Sequence, residues 1–215
     1  IFAGNRDEHL NRPTSLASWW HPDILSGLDL QRSERGTWLG MSRTGRFAAV
    51  TNYREPEISG QELLSRGALV KDLLLESDLE LEQRFNIINK RASKYGGFNL
   101  ISADLCHKHP TMLYLSNRKV DNIQHLNPKK FYGLSNSLLE DQWPKVKIGV
   151  PKIKSIVEEE SSEEKLVEEL LGLLSITVPF GPTTMSDPYH LEDLKRTIRV
   201  PKYDFGGDYA TRTST

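Results

Sequence analysis

A single cysteine among 215 residues, Cys106, excludes an internal disulfide, and no CxxC or Cys/His pair cluster offers a structural zinc site. Such cysteine usage fits a reducing, intracellular compartment. No apolar run approaches the ~20 residues needed to cross a bilayer, no secretory leader is visible and no Asn-x-Ser/Thr acceptor occurs, so the chain is expected not to span a membrane. Charge of one sign is missing too. Lys and Arg number 28 against 29 Asp and Glu, so no global field draws the chain to nucleic acid, while a local patch for peripheral membrane contact stays open. The absence of a phosphate loop and of GxGxxG, HExxH, GxSxG and repeat signatures removes the usual nucleotide, zinc-protease and serine-hydrolase readings.

What is present describes a folded chain long enough for one sizeable core, expected to be one domain over residues 1–215. Apolar residues make up 37% and charged residues 27%, polar for a globular protein but not the one-signed composition that prevents folding. The pattern starts with an apolar Ile1-Phe2-Ala3, the expected tail of a buried strand ending at Gly4. The stretch 19–29, with Trp19-Trp20-His21-Pro22, reads as an irregular loop whose tryptophans plug the core or face a ligand. Residues 36–42 and 46–53 flank Arg43-Thr44-Gly45 as a hairpin, and the run Phe47 to Val50, apolar on both faces, suits a central strand.

Helical spacing follows over residues 61–95, with Ser77-Asp78 as the cap dividing two helices and Gly96-Gly97 closing the second. Strands return at 98–104, 112–117 and 122–126, and residues 131–137 again run from apolar residues into a Ser/Asn cluster. A helix from Trp143 onward, a second from Glu163 to Leu174 capped by Ser161 or Ser162, an irregular 178–204 and an extended 209–215 complete the chain. Strands and helices in blocks favour an α+β layered fold over a doubly wound sheet. The abrupt, strand-like start at Ile rather than Met leads us to expect residues before Ile1, and the extended end a further strand after Thr215.

Several polar groups stand where apolar strands end: Asn5-Arg6-Asp7-Glu8, Asn52 and Asn136. Such residues suit a shared pocket, and they equally suit strand-end caps and a structural ion-pair network. The blocks Asn5-Arg6-Asp7-Glu8 with Arg12-Pro13, Gly36-Thr37-Trp38-Leu39-Gly40, Ala48-Ala49-Val50-Thr51-Asn52-Tyr53, Gly97-Phe98-Asn99-Leu100 and Tyr132-Gly133-Leu134-Ser135-Asn136 occur in this order. Together they resemble the NRDE family, the transport-and-Golgi-organisation protein two family, over the whole chain.

That resemblance implies a four-layer αββα sandwich similar to cysteine N-terminal-nucleophile hydrolases. In those enzymes a terminal cysteine attacks an amide and its own α-amine, with a pKa of ~7.7–8.0, serves as base. No terminal cysteine is present here and Cys106 is interior, so that nucleophile would lie outside this sequence. The resemblance assigns Asn5, Arg6 and Asp7 to the first wall of the site, Asn52 and Asn136 to the oxyanion and substrate amides, and Arg212 to the closing charge network. It further implies a small amphipathic ligand, an acyl-coenzyme A, a related lipid or haem, and a trafficking role in the cytoplasm beside mitochondria or Golgi. Arg12 and Arg54, with Arg6, Arg43 and Arg46, could meet phosphates at the pocket mouth. For haem or another metal, His21, His107 and His109 are available without distinctive spacing. A cysteine-dependent amide or thioester hydrolase, and a scaffold binding protein through Trp19-Trp20 or 178–204, are the competing expectations.

Overall fold

In chain order the strands of the computed structural model are β1 (Asn5–His9), β2 (Ser18–His21), β3 (Ile24–Ser26), β4 (Leu39–Ser42), β5 (Arg46–Asn52), β6 (Phe98–Asp104), β7 (Thr111–Ser116), β8 (Ile123–Leu126) and β9 (Tyr209–Ser214). The helices are α1 (Gly67–Leu74), α2 (Leu81–Lys90), α3 (Pro144–Glu159), α4 (Glu163–Leu174) and α5 (Leu191–Arg196). The structure describes residues 1–56, 63–106, 110–119, 123–159, 162–179, 181, 190–202 and 208–215. It is a mixed α and β fold with a large antiparallel sheet and, among the described residues, five α-helices. None of these helices is long and apolar enough to cross a membrane.

Two compact units divide the chain. The first comprises Ile1–Arg12, Phe131–Gly133 and Asp141–Thr215, the second Pro13–Lys130 and Leu134–Glu140. In the second unit β2 to β8 form one antiparallel sheet in sequential order, the arrangement that hairpin connections produce most directly. Alternate residues Ala48 and Val50 of β5, Leu100 of β6, and Leu113 and Leu115 of β7 enter one core with Leu69, Val70 and Leu73 of α1 and Leu81, Phe85 and Ile88 of α2. As expected, β5 is central, paired with β4 and β6, and Gly45 makes its turn at φ 75°, where a Cβ would be strained.

The second unit also corrects several expectations. Residues 19–29 are not an irregular loop, because β2 and β3 pair as a hairpin around Pro22-Asp23. Period-two alternation separates the tryptophans: Trp20 packs on the core and its Nε1 donates to Ser26 Oγ at 2.6 Å, while Trp19 is 48% exposed under the Arg43 guanidinium, 3.8 Å from the ring. The first helix begins at Gly67 rather than near 61, and residues 57–62 lie outside the described ones. Ser77-Asp78 does not cap α2. Glu80 does, in a capping box with Gln83, and α2 ends at Lys90 before a 3-10 turn, Ala92–Lys94, rather than at Gly96. Residues 131–137 form no strand; the carbonyls of Ser135 and Ser137 accept from the Thr51 and Asn99 side chains, and that of Asn136 from Arg54 N.

In the first unit, β1 pairs with β9, antiparallel, with a register shift between Arg6 and Asp7, the two forming a two-stranded sheet among the described residues. The strand is the polar tetrapeptide itself, and Ile1 and Phe2, expected in a buried strand, are exposed outside it. Helix α4 spans the expected residues with Ser162 as cap, its side chain accepting from Lys165 N at 3.3 Å. The expected irregular stretch 178–204 contains α5, whose carboxylates lie in the first turn and whose cations lie in the last, as the helix dipole favours.

Candidate functional site

On β1, successive side chains point to opposite faces, so four consecutive polar residues do not converge on one spot. Asn5 Nδ2 donates to Leu174 O at 2.8 Å and to Ile198 O at 3.0 Å, tying the strand to the end of α4. Asp7 Oδ1 accepts from Thr211 Oγ1 at 2.5 Å. Burial pushes the Asp7 carboxyl above its ordinary value, against the lowering effect of the Thr211 hydroxyl and of the Lys145 charge.

Arg6 and Glu8, the alternate pair, meet each other and Arg12. Arg6 Nη2 lies 3.4 Å and Arg12 Nε 3.6 Å from Glu8 Oε2, with all three side chains largely shielded from solvent. Arg212 reaches the same turn, where its Nη1 donates to Arg12 O at 2.5 Å and His9 O at 3.3 Å. Arg6, Arg12 and Arg212 thus gather at one end of the β1–β9 ribbon, with the Glu8 carboxylate within ion-pair distance of both Arg6 and Arg12. Such a cluster can take a phosphate or carboxylate through charge-assisted, bidentate hydrogen bonds.

Asn52, Arg54 and Asn136 belong to the second unit. Asn136 Nδ2 donates to Asn52 O at 2.9 Å, and Arg54 N donates to Asn136 O at 2.7 Å. The Asn52 and Arg54 residues are exposed. Around them runs a buried polar network that sequence reasoning missed. Asn99 Nδ2 donates to Thr51 Oγ1 at 3.2 Å and Ser137 O at 3.0 Å, and Tyr114 Oη donates to Asn99 Oδ1 at 2.8 Å. Its one sequence signal is a lone Asn inside the apolar run of β6.

Among the described residues no cluster of three or more His, Cys, Asp or Glu could hold a metal ion. His21 is half-buried at the end of β2, its ring 5.9 Å from that of Trp20, and His107 and His109 lie outside the described residues. A groove of about 570 Å³ between α3 and α4 is lined by Lys152, Ile156, Glu159, Lys165, Glu169 and Leu173 among others, and by none of the residues chosen from the sequence.

The family model described as Transport and Golgi organisation 2 matches residues 1–215. The bovine Transport and Golgi organization protein 2 homolog is 36% identical over 229 residues, covering all of this chain and 80% of its own. The human homolog is 39% identical over 181 residues, covering 81% of this chain and 64% of its own, so the match spans just under two thirds of that relative. An uncharacterized protein of Saccharomyces cerevisiae is 28% identical over 97% of this chain and 79% of its own.

Proposed function

The chain belongs to the Transport and Golgi organisation 2 family, and on that premise we propose that it handles a small amphipathic ligand whose anionic head is gripped by Arg6, Arg12 and Arg212, in the service of intracellular transport. The observation that carries this reading is the gathering of three guanidinium groups around Glu8 and the 9–12 turn. Guanidinium forks match phosphate and carboxylate oxygens in pairs, and partial burial weakens the competition from water. Acyl-coenzyme A, with its phosphates, is the first candidate, and haem, with its propionates, the second. Trafficking enters through the names of the relatives, which speak of transport and Golgi organization. A cytoplasmic setting beside Golgi or mitochondria belongs to the same reading.

The four-layer αββα sandwich of the N-terminal-nucleophile type is also part of it. Its support is an antiparallel sheet faced by α1 and α2 in one unit, and a β1–β9 ribbon accompanied by α3, α4 and α5 in the other. The arginine cluster, which suits holding an anionic head, is why ligand handling is preferred to hydrolysis.

Thermal unfolding with palmitoyl-coenzyme A and with haemin tests the proposal. At about a hundredfold excess over Kd the bound state gains roughly 2.7 kcal/mol, enough for a clear rise in Tm. Arg12→Ala and Arg212→Ala are each expected to weaken binding at least about tenfold, and added salt to weaken it further. Unchanged Tm with both ligands well above micromolar concentration, or full affinity in both variants, rejects it.

A further inference from the structure

The groove between α3 and α4 lies within the first unit, and its volume of about 570 Å³ falls in the roughly 300–1,000 Å³ range of small-ligand sites. On α3 the lining residues Lys152, Ile156 and Glu159 recur at helical spacing over about two turns, or about 10 Å, the length of three extended residues. The floor is apolar. Leu173 is buried, and Ile156 and Ile176 are half-buried.

The rim carries both signs in equal number, Lys152 with Glu159 on α3 and Lys165 with Glu169 on α4, all of them exposed. Elsewhere on α3 charges are matched locally: Lys154 lies 3.9 Å from Glu158, and Glu159 accepts from Ser155 Oγ. Among the described residues, neither the Lys152 ammonium nor the Glu169 carboxylate has a hydrogen-bond or ion-pair partner. A ligand of one sign would be drawn to two of the four rim groups and repelled by the other two. A zwitterion with an apolar body meets both signs and the floor at once.

Gly172 is a separate mark of the same site. Glycine is the poorest helix former after proline, yet it stands inside α4 on the groove lining. A Cβ there would meet nothing within 4 Å, so no packing contact requires its absence. What the glycine does is keep the α4 wall clear of a side chain.

We propose that the α3–α4 groove binds a short apolar peptide of two or three residues with both termini free. Its carboxylate sits on Lys152, its ammonium on Glu169, and its side chains against Ile156, Leu173 and Ile176. None of the arginine-cluster residues lines this groove, so the site does not depend on the acyl or haem reading.

The test is a titration of the whole chain with leucyl-leucine, N-acetyl-leucyl-leucine and leucyl-leucine amide, followed by NMR of isoleucine and leucine methyl groups. Leucyl-leucine is expected to shift the methyl signals of Ile156, Leu173 and Ile176 with a Kd at or below about 1 mM. Acetylation and amidation each remove one terminal charge and are expected to weaken binding about two- to fivefold, the range of exposed ion pairs. Lys152→Gln should abolish the penalty of amidation and keep that of acetylation, and Glu169→Gln should do the reverse. Gly172→Leu, which places a side chain in the groove, should abolish binding in a chain whose Tm shows it folded. No methyl shifts up to about 10 mM, equal binding of free and blocked peptides, or equal weakening of all three ligands by Lys152→Gln and Glu169→Gln overturns the proposal. Tighter binding of palmitate than of leucyl-leucine at the same methyl groups overturns it in favour of a single-charged lipid.

Discussion

Asn99 is wholly buried, yet every one of its hydrogen-bonding partners sits on the sheet or on the 134–139 strap that the sheet carries. Its amide joins Thr51, the carbonyl of Ser137 and the hydroxyl of Tyr114, which itself accepts from Leu139 N at 3.2 Å. Asn99→Leu keeps the volume but removes one donor from the Ser137 carbonyl and the acceptor of the Tyr114 hydroxyl proton, at about 1–3 kcal/mol each. We expect a loss of roughly 2–5 kcal/mol in urea unfolding, a smaller loss for Tyr114→Phe, and a double variant less destabilised than the sum, because both act on one network. Additive losses would show that the two side chains work separately. Asn136 illustrates how far residue identity can be read. Its place beside Asn52 was legible, since both follow apolar runs, but an amide that orients a substrate and one that pins a strap look alike in sequence. Its Nδ2 donates to the Asn52 carbonyl, a structural use that only tertiary placement reveals. The NRDE block was legible as a polar stretch, whereas the division of its side chains between two faces followed from its being a strand rather than a strand end.

At the scale of elements, α1 meets the approach to β4 through two glycines. A Cβ on Gly36 would lie 2.7 Å from the backbone carbon of Gly67, and Thr37 N donates to Gly67 O at 3.2 Å across the same contact. Backbone on both sides cannot yield as a flexible side chain does, so Gly36→Ala forces α1 away from the sheet and is expected to cost about 1–3 kcal/mol. Gly172 is the counter-case. It is exposed within α4, and a methyl group there would meet open space, with nothing within 4 Å, so Gly172→Ala should stabilise by roughly 0.8–1 kcal/mol through helix propensity. Opposite shifts of the urea midpoint are the expected result, and equal shifts would contradict the packing argument. Elements with long, regular patterns were legible: β5 to β7 by their apolar runs, and α4 by its cap and its leucine spacing. Short elements were not. Three-residue β3 and six-residue α5 offer too few periods to stand out from a Pro- and Asp-rich background, and Glu80 is hard to single out because a glutamate is an uncommon cap beside Ser77 and Asp78.

At the scale of the whole molecule, the shifted carboxylates of the described residues fall two to each unit, and of the four only Asp7 is moved upward. In the second unit, the paired hydrogen bonds of Arg118, at 2.6 and 2.7 Å, together with Gly97 N, hold Glu55 below its ordinary value against a smaller desolvation effect. Burial raises Glu140, but hydrogen bonds from Gln124 and Lys119 outweigh it, and the net shift is also downward. A carboxylate with a depressed folded pKa contributes stability that is present above its unfolded value, 4.5 for a glutamate, and lost as pH falls through the folded value. In the first unit, Asp193 is likewise lowered, since Gly181 N, Arg196 and His190 outweigh its burial. Asp7 is raised by burial, so its contribution has the opposite sign: present below the unfolded value of 3.8, and lost as pH rises through the folded value. Acidification therefore removes stability from the second unit at both of its shifted carboxylates, while in the first unit the gain at Asp7 offsets the loss at Asp193. Hydrogen exchange compared at about pH 3 and about pH 6, corrected for intrinsic rates, is expected to show the larger loss of protection in β5 to β7 and in α1 and α2. Amides of β1 and β9 should change less, and equal or greater loss there would mean that other groups govern the acid response of the first unit.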